Sequence, residues 1–400
     1  MSVQKWPLVP LGELCRWVAS GGTPLRSVPD YYLGGTIPWL KTGEVKKSFV
    51  YETEEFITER GLENSSTKLI PSNSLIVAMY GDGDTAGNVA INKIPLTTNQ
   101  ACCNFVVNDA KADYRYLYYY LKGSYANLVG LKVGGSQQNL NSQTLRRFPI
   151  ALPLIATQRK IAAILSAYDD LIANNQRRIT LLESMAEEIY REWFVRMRFP
   201  GHQEVQRFKG LPSSWALKSF KDFCVLKRGY DLPDSSMQPG HYPVIASTSI
   251  KGFHSEFKVN PPVITTGRSG SLGTVLLVNK KSWPLNTALY VKDFCGNSPF
   301  LIYYTLRSLK LETFNVGAGV PTLNRNHLSS LGIAVPDAAL QRRFDAVLGP
   351  MNAQASMLAE VSEKLTVQRD ALLPRLISGK LKVDHLDIQL PPSMREKVTA

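Results

Sequence analysis

The chain is built from two copies of one unit, placed in tandem. Four short blocks return after a constant shift of 183 residues: Leu140-Asn141 as Leu323-Asn324, Pro149-Ile150 as Gly332-Ile333, Pro153 as Pro336, and Gln158-Arg159 as Gln341-Arg342. The opening also recurs, with a shift of 209 residues, since Trp6 to Cys15 match Trp215 to Cys224. This period is far longer than that of a solenoid. The duplication predicts two similar domains, and a function that requires two similar objects to be held at once.

The composition is that of an ordinary globular protein. The 400 residues allow two or three domains that each bury a core. No apolar run has the length of about 18 residues that a membrane span needs, and the N-terminus lacks the apolar stretch of a secretory signal, so we expect a cytoplasmic protein. The five cysteines form no CxxC pair and no metal-ligand spacing with histidine. We therefore expect reduced, mostly buried thiols, and neither a metal nor a cofactor.

The positive charge is concentrated in the globular parts of the chain. Residues 1–153 carry a net charge of +3 and residues 201–336 carry +8, out of +13 for the whole chain. The segments after each globular part are nearly neutral. A basic excess of this kind favours a polyanion partner, because neutralising phosphates releases counterions.

Each unit begins with an irregular, aromatic-rich part. Residues 74–80 and 262–266 are predicted strands, each followed by a glycine-rich turn. Residues 113–122 and 298–309 are predicted short helices at equivalent places. The pattern predicts an α+β domain with a mixed sheet in each unit. The tyrosines at positions 116–120 could stack on bases, but their helical spacing favours a place in the core.

Each unit ends in a long amphipathic helix. Apolar residues recur every three or four positions over about 35–40 residues, which gives each helix a length of roughly 50–60 Å. The two apolar stripes are expected to pack together as an antiparallel coiled coil, although each helix could instead pack on its own globular part. The residues predicted for this coiled coil are Ile161, Leu165, Tyr168, Leu182, Ile189, Phe344, Leu348, Met351, Leu358, Leu365 and Leu372.

Several motifs resemble those of type I restriction-modification specificity subunits. The segment Leu181-Leu-Glu-Ser-Met-Ala-Glu-Glu-Ile-Tyr-Arg-Glu-Trp-Phe-Val195 is similar to the central region of that family, and Arg369-Asp-Ala-Leu-Leu-Pro-Arg-Leu-Ile-Ser-Gly-Lys-Leu381 is similar to the region that closes its second repeat. Ser20-Gly-Gly-Thr-Pro24 and Leu211-Pro-Ser-Ser-Trp215 resemble the starts of its two target-recognition domains. The resemblance covers both units in the expected order.

The resemblance implies a non-catalytic subunit that reads DNA. Target-recognition domains would span residues 1–153 and 201–336, with spacer helices at 154–200 and 337–380 and a tail of unassigned role at 381–400. A pseudo-two-fold arrangement would let each domain read one half of a split, asymmetric site in double-stranded DNA. The helices would set the gap and dock two methyltransferase subunits, and restriction subunits would join through the complex.

Two pairs of loops contain the candidate DNA contacts. The first pair, Gly81 to Gly87 and Gly267 to Gly273, is spaced by 186 residues and offers Asp82, Asp84, Thr85, Arg268, Ser269 and Ser271. Arg268 has the side chain to bind a guanine or a phosphate, whereas the glycines serve equally well in a plain hairpin turn. The second pair, Gly134 to Asn141 and Gly317 to Asn324, ends in the two Leu-Asn blocks. It offers Gln137, Gln138 and Asn139, which suit adenine, with Lys132, Thr322 and Arg325 as further contacts. The recurring Leu-Asn residues themselves are expected to be structural.

Other classes of function fit less well. Asn260-Pro-Pro-Val263 resembles the catalytic motif of adenine methyltransferases, but valine stands where that chemistry needs an aromatic ring. Two alternatives stay open at this point. One is a specificity subunit that serves a fused nuclease and methylase, and the other is a coiled-coil scaffold whose globular ends bind proteins.

Overall fold

The computed structural model describes residues 6–81, 84–132, 139–317, 319–391 and 394. The chain divides into two compact units. Unit 1 contains residues 1–175 and 360–400, and unit 2 contains residues 176–359. Across the described ranges, no helix combines the length and the apolar character needed to cross a bilayer.

In the part of the first repeat that the structure describes, there are ten strands and four short α-helices. Its strands are β1 (Leu8–Pro10), β2 (Cys15–Ser20), β3 (Ile37–Leu40), β4 (Phe49–Val50), β5 (Glu55–Ile57), β6 (Leu75–Ala78), β7 (Val89–Asn92), β8 (Thr97–Thr98), β9 (Cys102–Val107) and β10 (Pro149–Ala151). Its helices are α1 (Glu59–Glu63), α2 (Tyr114–Gly123), α3 (Tyr125–Gly130) and α4 (Ser142–Arg146). Three sheets result, with the orders β2-β9-β6-β7-β4, β5-β3-β8 and β1-β10.

The long helix α5 (Ile155–Tyr190) follows, and a π-helical turn continues it over Arg191–Val195. The second repeat then has strands β11 (Arg207–Phe208), β12 (Leu211–Pro212), β13 (Ala216–Ser219), β14 (Val225–Arg228), β15 (Tyr242–Ile245), β16 (Ile250–His254), β17 (Val263–Gly267), β18 (Val275–Val278), β19 (Trp283–Pro284), β20 (Ala288–Asp293) and β21 (Gly332–Val335). Its short helices are α6 (Phe220–Phe223) and α7 (Pro299–Ser308).

Among the described residues, the second repeat reproduces the sheet order of the first, except that its large sheet has four strands and no counterpart of β4. Its sheets run β14-β20-β17-β18, β16-β15-β19 and β13-β21, next to a small β11-β12 hairpin. The central strand pairs antiparallel on both sides, while β3 pairs parallel with β8 and β15 pairs parallel with β19. Both repeats therefore have mixed sheets, which confirms the predicted α+β class with a tandem repeat.

The second long helix, α8 (Ala338–Ile377), has the boundaries that its sequence indicates. The Asp337 carboxylate caps it by accepting from the N–H groups of Ala339 and Leu340, both at 2.9 Å. Beyond its end, Gly379 adopts a φ of 69°, which suits a C-terminal glycine. Helix α8 thus has a defined start and end, and both long helices contribute residues to each unit.

Each unit contains one stretch of α5 packed antiparallel on one stretch of α8. In unit 1, Asp169 binds Arg369 and Asn175 binds Ser362, so the partner number on α8 falls as the number on α5 rises. In unit 2, the rings of Tyr190 and Phe344 lie 6.5 Å apart. The first turns of each helix also pack in the core of its own repeat. Each long helix therefore packs both on the other long helix and on its own globular part.

The tyrosines of α2 belong to the core. Tyr116, Tyr118 and Tyr119 are at most 1% exposed and pack among the residues of the main cluster of unit 1. This confirms the prediction that these tyrosines belong to the core, and it leaves them unavailable for stacking on bases. All five cysteines are free, and burial raises the pKa of the Cys102 thiol to about 12.

Candidate nucleic-acid interface

In the first repeat, three segments meet where strand β6 ends. The backbone N–H of Met79 donates to the Ala101 carbonyl at 2.8 Å, and the Met79 carbonyl accepts from the N–H of Leu140 at 2.9 Å. The hydroxyl of Tyr80 donates to the Gln100 carbonyl at 3.0 Å. The loop after β6 therefore lies between the segment before β9 and the segment that leads into α4.

The second repeat joins its two candidate loops in the same way. The N–H of Arg268 donates to the Thr287 carbonyl, and its carbonyl accepts from Leu323, both at 2.8 Å. Ser269 forms a β-bridge with Thr322. The structure thus brings Arg268, Ser269 and Thr322 onto one surface, although about fifty residues separate them along the chain.

These hydrogen bonds correct the sequence pairing of the two loops. Met79 and Arg268 make the same backbone contacts, so Gly81 corresponds to Gly270 and not to Gly267, which is the last residue of β17. The shift of 186 residues holds from Gly87 and Gly273, where both glycines have φ near 90°, to Ala101 and Thr287. The loop of the first repeat is three residues longer, and a constant shift cannot accommodate this insertion.

In the second repeat, the candidate side chains differ in their surroundings. The half-buried Arg268 donates from Nη1 to the Asn286 carbonyl at 3.2 Å, while Ser271 lies exposed in the loop. Arg325 donates from Nη1 to the Leu226 carbonyl at 3.1 Å, so it braces strand β14. The Thr322 hydroxyl donates to the Val320 carbonyl at 3.0 Å.

In the first repeat, the side chains predicted to contact DNA differ in exposure from one residue to the next. The Asp84 side chain is 80% exposed and pairs with Lys46, which lowers the pKa of that carboxyl. Thr85 is buried, with its side chain packed against the backbone of Gly81. Lys132 and Asn139 are half-buried. Asp82, Gln137 and Gln138 lie outside the described residues.

The recurring Leu-Asn pair has a structural role in both repeats. Leu140 and Leu323 are each 2% exposed. The Asn141 side chain caps α4 by accepting from the N–H of Thr144 at 2.8 Å, and the Asn324 side chain accepts from the N–H of Asn326 at 3.0 Å. This confirms the expectation that the recurring Leu-Asn residues are structural.

Sequence reasoning missed two side chains at this surface, Gln100 and Asn286. Each immediately precedes the residue whose carbonyl receives the backbone hydrogen bond from Met79 or Arg268. The sequence does contain a short similarity in this region, between Asn99-Gln-Ala101 and Asn286-Thr-Ala288. That similarity aligns Asn99 with Asn286, whereas the backbone hydrogen bonds align Gln100 with Asn286, so the two alignments differ by one residue.

The family follows from a comparison with known proteins. The sequence profile of the type I restriction modification DNA specificity domain matches residues 4–184 and 212–353, which together make up most of the chain. The chain belongs to the type I restriction-modification DNA specificity family. The matched relatives are named specificity subunits, and the chain is a non-catalytic specificity subunit.

One named relative matches the chain across both repeats, and a second matches about half of it. The chain is 26% identical over 402 residues to the type I restriction enzyme MjaIX specificity subunit of Methanocaldococcus jannaschii, with 92% of each chain covered. It is 32% identical over 191 residues to the EcoR124I/EcoR124II specificity subunit of Escherichia coli, which covers 47% of this chain and 44% of that one. The crystal structure of the S subunit from M. genitalium has the same fold, with a TM-score of 0.62 at 18% identity over 94% of this chain and 96% of that one.

The helices of the specificity subunit bury the stripe that was predicted for them. Ile161, Leu165, Phe344 and Leu348 are at most 1% exposed. The other predicted coiled-coil residues are half-buried: Tyr168, Leu182, Ile189, Met351, Leu358, Leu365 and Leu372. Both helices also carry exposed apolar side chains outside this set, among them Leu181 at 62% and Met357 at 66%.

A buried glutamine attaches each long helix to its own recognition domain. Gln158 accepts from the N–H of Asp113 at 2.9 Å and donates to the Pro153 carbonyl at 2.8 Å. Gln341 accepts from the N–H of Ser298 at 2.7 Å and donates to the Pro336 carbonyl at 2.9 Å. The same joint therefore fixes the start of α2 on α5 and the start of α7 on α8.

The two units differ in one buried polar cluster. In unit 1, Asp169 accepts from Arg369 and from the hydroxyl of Tyr119, both at 2.5 Å. Burial, followed by the Asp169 charge, raises the pKa of Tyr119 well above its ordinary value. By the repeat shift, Asn352 takes the place of Asp169 in unit 2, where a cavity of about 190 Å³ lies between Leu182, Ala186, Met351 and Tyr304.

Proposed function

We propose that each repeat reads one half of a split, asymmetric DNA site, the first through residues 1–153 and the second through residues 201–336. The observation that carries this proposal is the recurrence of the same loop cluster at the ends of β6 and β17. A repeated scaffold with loops of different length and composition suits two half-sites of different sequence. Loops placed by rigid strands are also a common site of binding residues.

The charge of the repeats supports DNA as the ligand. Residues 201–336 carry most of the positive excess of the chain. Arg228 and Lys251 are partly exposed in this repeat, with 51% and 42% of their side chains accessible, and they pair with the exposed carboxylates of Asp231 and Asp234. Phosphate contacts by such residues give affinity that falls with salt, whereas contacts to base edges give sequence discrimination.

The long helices are the proposed spacer and the proposed docking surface. An antiparallel pair of fixed length would hold the gap between half-sites constant. Exposed apolar side chains on α5 (Leu181 and Met185) and on α8 (Met357 and Val367) offer a surface for other subunits. Two methyltransferase subunits would bind there, and restriction subunits would join through the complex to cleave unmethylated DNA.

The proposal is tested by mapping methylated bases. The chain is co-expressed with its partner methyltransferase, and genomic DNA is examined by long-read sequencing against cells that lack the chain. The expected result is methylation at a two-part motif with a fixed gap, present only with this chain. Methylation that does not depend on the chain would contradict the proposal.

A gel shift separates DNA reading from a scaffold role. The complex of the chain with its methyltransferase should prefer duplexes that carry the motif over duplexes of scrambled sequence and over heparin. Equal binding to all three would favour a protein-binding scaffold. The identity of the neighbouring genes distinguishes separate methyltransferase and restriction subunits from a fused nuclease and methylase.

A further inference from the structure

One amide side chain occupies the same position in both repeats. The Ala101 carbonyl accepts from the N–H of Met79, and the Thr287 carbonyl accepts from the N–H of Arg268, each at 2.8 Å. The preceding residues are Gln100 and Asn286. Gln100 is exposed and Asn286 is half-exposed, so both side chains are accessible at the loop surface.

The backbone beneath each amide is held from the neighbouring loop. The Tyr80 hydroxyl donates to the Gln100 carbonyl at 3.0 Å. In the second repeat, Nη1 of Arg268 donates to the Asn286 carbonyl at 3.2 Å. Different side chains therefore immobilise the same carbonyl, which fixes the residue that carries the amide.

Each amide is also held at one end by the loop after the first strand of the large sheet. The Thr23 hydroxyl donates to Oε1 of Gln100, and Nδ2 of Asn286 donates to the Asp231 carboxylate. Thr23 and Asp231 occupy equivalent positions in the two repeats. The residue before Thr23, Gly22, donates its N–H to the Thr98 carbonyl of β8. The residue before Asp231, Tyr230, donates its N–H to the Pro284 carbonyl of β19, the equivalent strand. The arrangement orients both amides in advance.

An oriented, accessible amide has the chemistry of a base reader. Asparagine and glutamine bind adenine through N6 and N7, with one donor and one acceptor. In Asn286, the carboxylate of Asp231 can only accept, so the amide NH₂ faces it and Oδ1 is left for another donor. Fixing a side chain before binding also lowers the entropy lost on binding.

We infer that Gln100 and Asn286 contact bases at corresponding positions of the two half-sites. This inference rests on the proposed function and adds two specificity-determining residues, one to each repeat. Neither residue belongs to the glycine-rich loops that the sequence points to. The pairing predicts that each amide affects only the half-site of its own repeat.

The test compares Q100A and N286A with the unaltered chain in the complex with the methyltransferase. Methylated motifs are mapped by sequencing, and binding is measured on duplexes that differ from the motif by one base pair. Each variant should lose about tenfold to a hundredfold of its discrimination at one base pair of one half-site. The other half-site of the same variant should stay unchanged, and it serves as the internal control for folding.

Three outcomes would overturn the inference. They are a loss of affinity that is equal for all sequences, a change in both half-sites of one variant, and an unchanged motif in both variants. A complex of the unaltered chain that methylates no two-part motif would instead overturn the proposed function, and the inference with it. Measurements on the unaltered chain therefore distinguish a failure of the inference from a failure of the proposed function.

Discussion

Asp169 joins two long helices and one recognition domain through a single buried carboxylate. Its oxygens accept from Arg369 of α8 and from Tyr119 of α2. The side chains of Asp169 and Arg369 are only 8% and 12% exposed. Removing one partner of such a pair leaves the other charge buried without compensation, which costs more than the loss of an exposed ion pair.

We expect the D169A variant to lower the free energy of unfolding by about 3–5 kcal/mol. The matched control is D370A, because Asp370 binds the same arginine at 2.8 Å but is 54% exposed. The control should lose less than about 1 kcal/mol. Urea unfolding followed by circular dichroism measures both, and equal midpoints for the two variants would show that the buried pair does not stabilise the fold.

At the scale of elements, the long helices were predictable and the loop correspondence was not. A three-four spacing held over many turns specifies a helix, and the capping residue Asp337 and the terminal Gly379 indicate its ends. Loops depend on how distant strands pair. The bridge between Ser269 and Thr322 joins residues with no shared pattern, and the three-residue insertion after β6 breaks the constant shift.

The same limit explains why Gln100 and Asn286 were missed. Their equivalence depends on backbone hydrogen bonds to Met79 and Arg268, which lie about twenty residues away along the chain. No periodicity connects these positions. The buried residues of a long helix follow from sequence spacing, whereas the members of a loop surface follow only from the strand register.

The apolar side chains left exposed on α5 carry a prediction for this element. L181D and M185D should weaken binding of the methyltransferase subunit about tenfold or more, because each places a charge in a proposed apolar contact. These side chains are 62% and 56% exposed, so the melting temperature of the isolated chain should be nearly unchanged. The control Q176E changes an exposed residue of the same helix. Pull-down or calorimetry with unchanged affinity in both variants would place the docking surface elsewhere.

At the scale of the whole molecule, the repeats are joined to the helices by contacts that do not depend on their variable loops. Gln158 and Gln341 bind backbone N–H groups at the start of α2 and α7, and each donates to the carbonyl of the proline that precedes its helix. A backbone N–H is present in almost any sequence. The joint is therefore expected to tolerate different recognition domains, and the proposed reading loops lie at strand ends that are separate from it.

This joint predicts that the recognition domains can be exchanged independently. Replacing residues 205–336 with the matching domain of a relative should change the half-site of the second repeat and leave the first half-site and the gap unchanged. The reason is that α5, α8 and Gln341 remain in place, while all loops that follow β14, β17 and β19 are replaced. Methylome sequencing of the chimeric complex gives the motif directly. A control chimera in which Gln341 is also changed to Ala should lose stability without acquiring a third motif. If the exchange altered both half-sites together, the two repeats would have to read DNA as one surface, and the division of the site between them would be wrong.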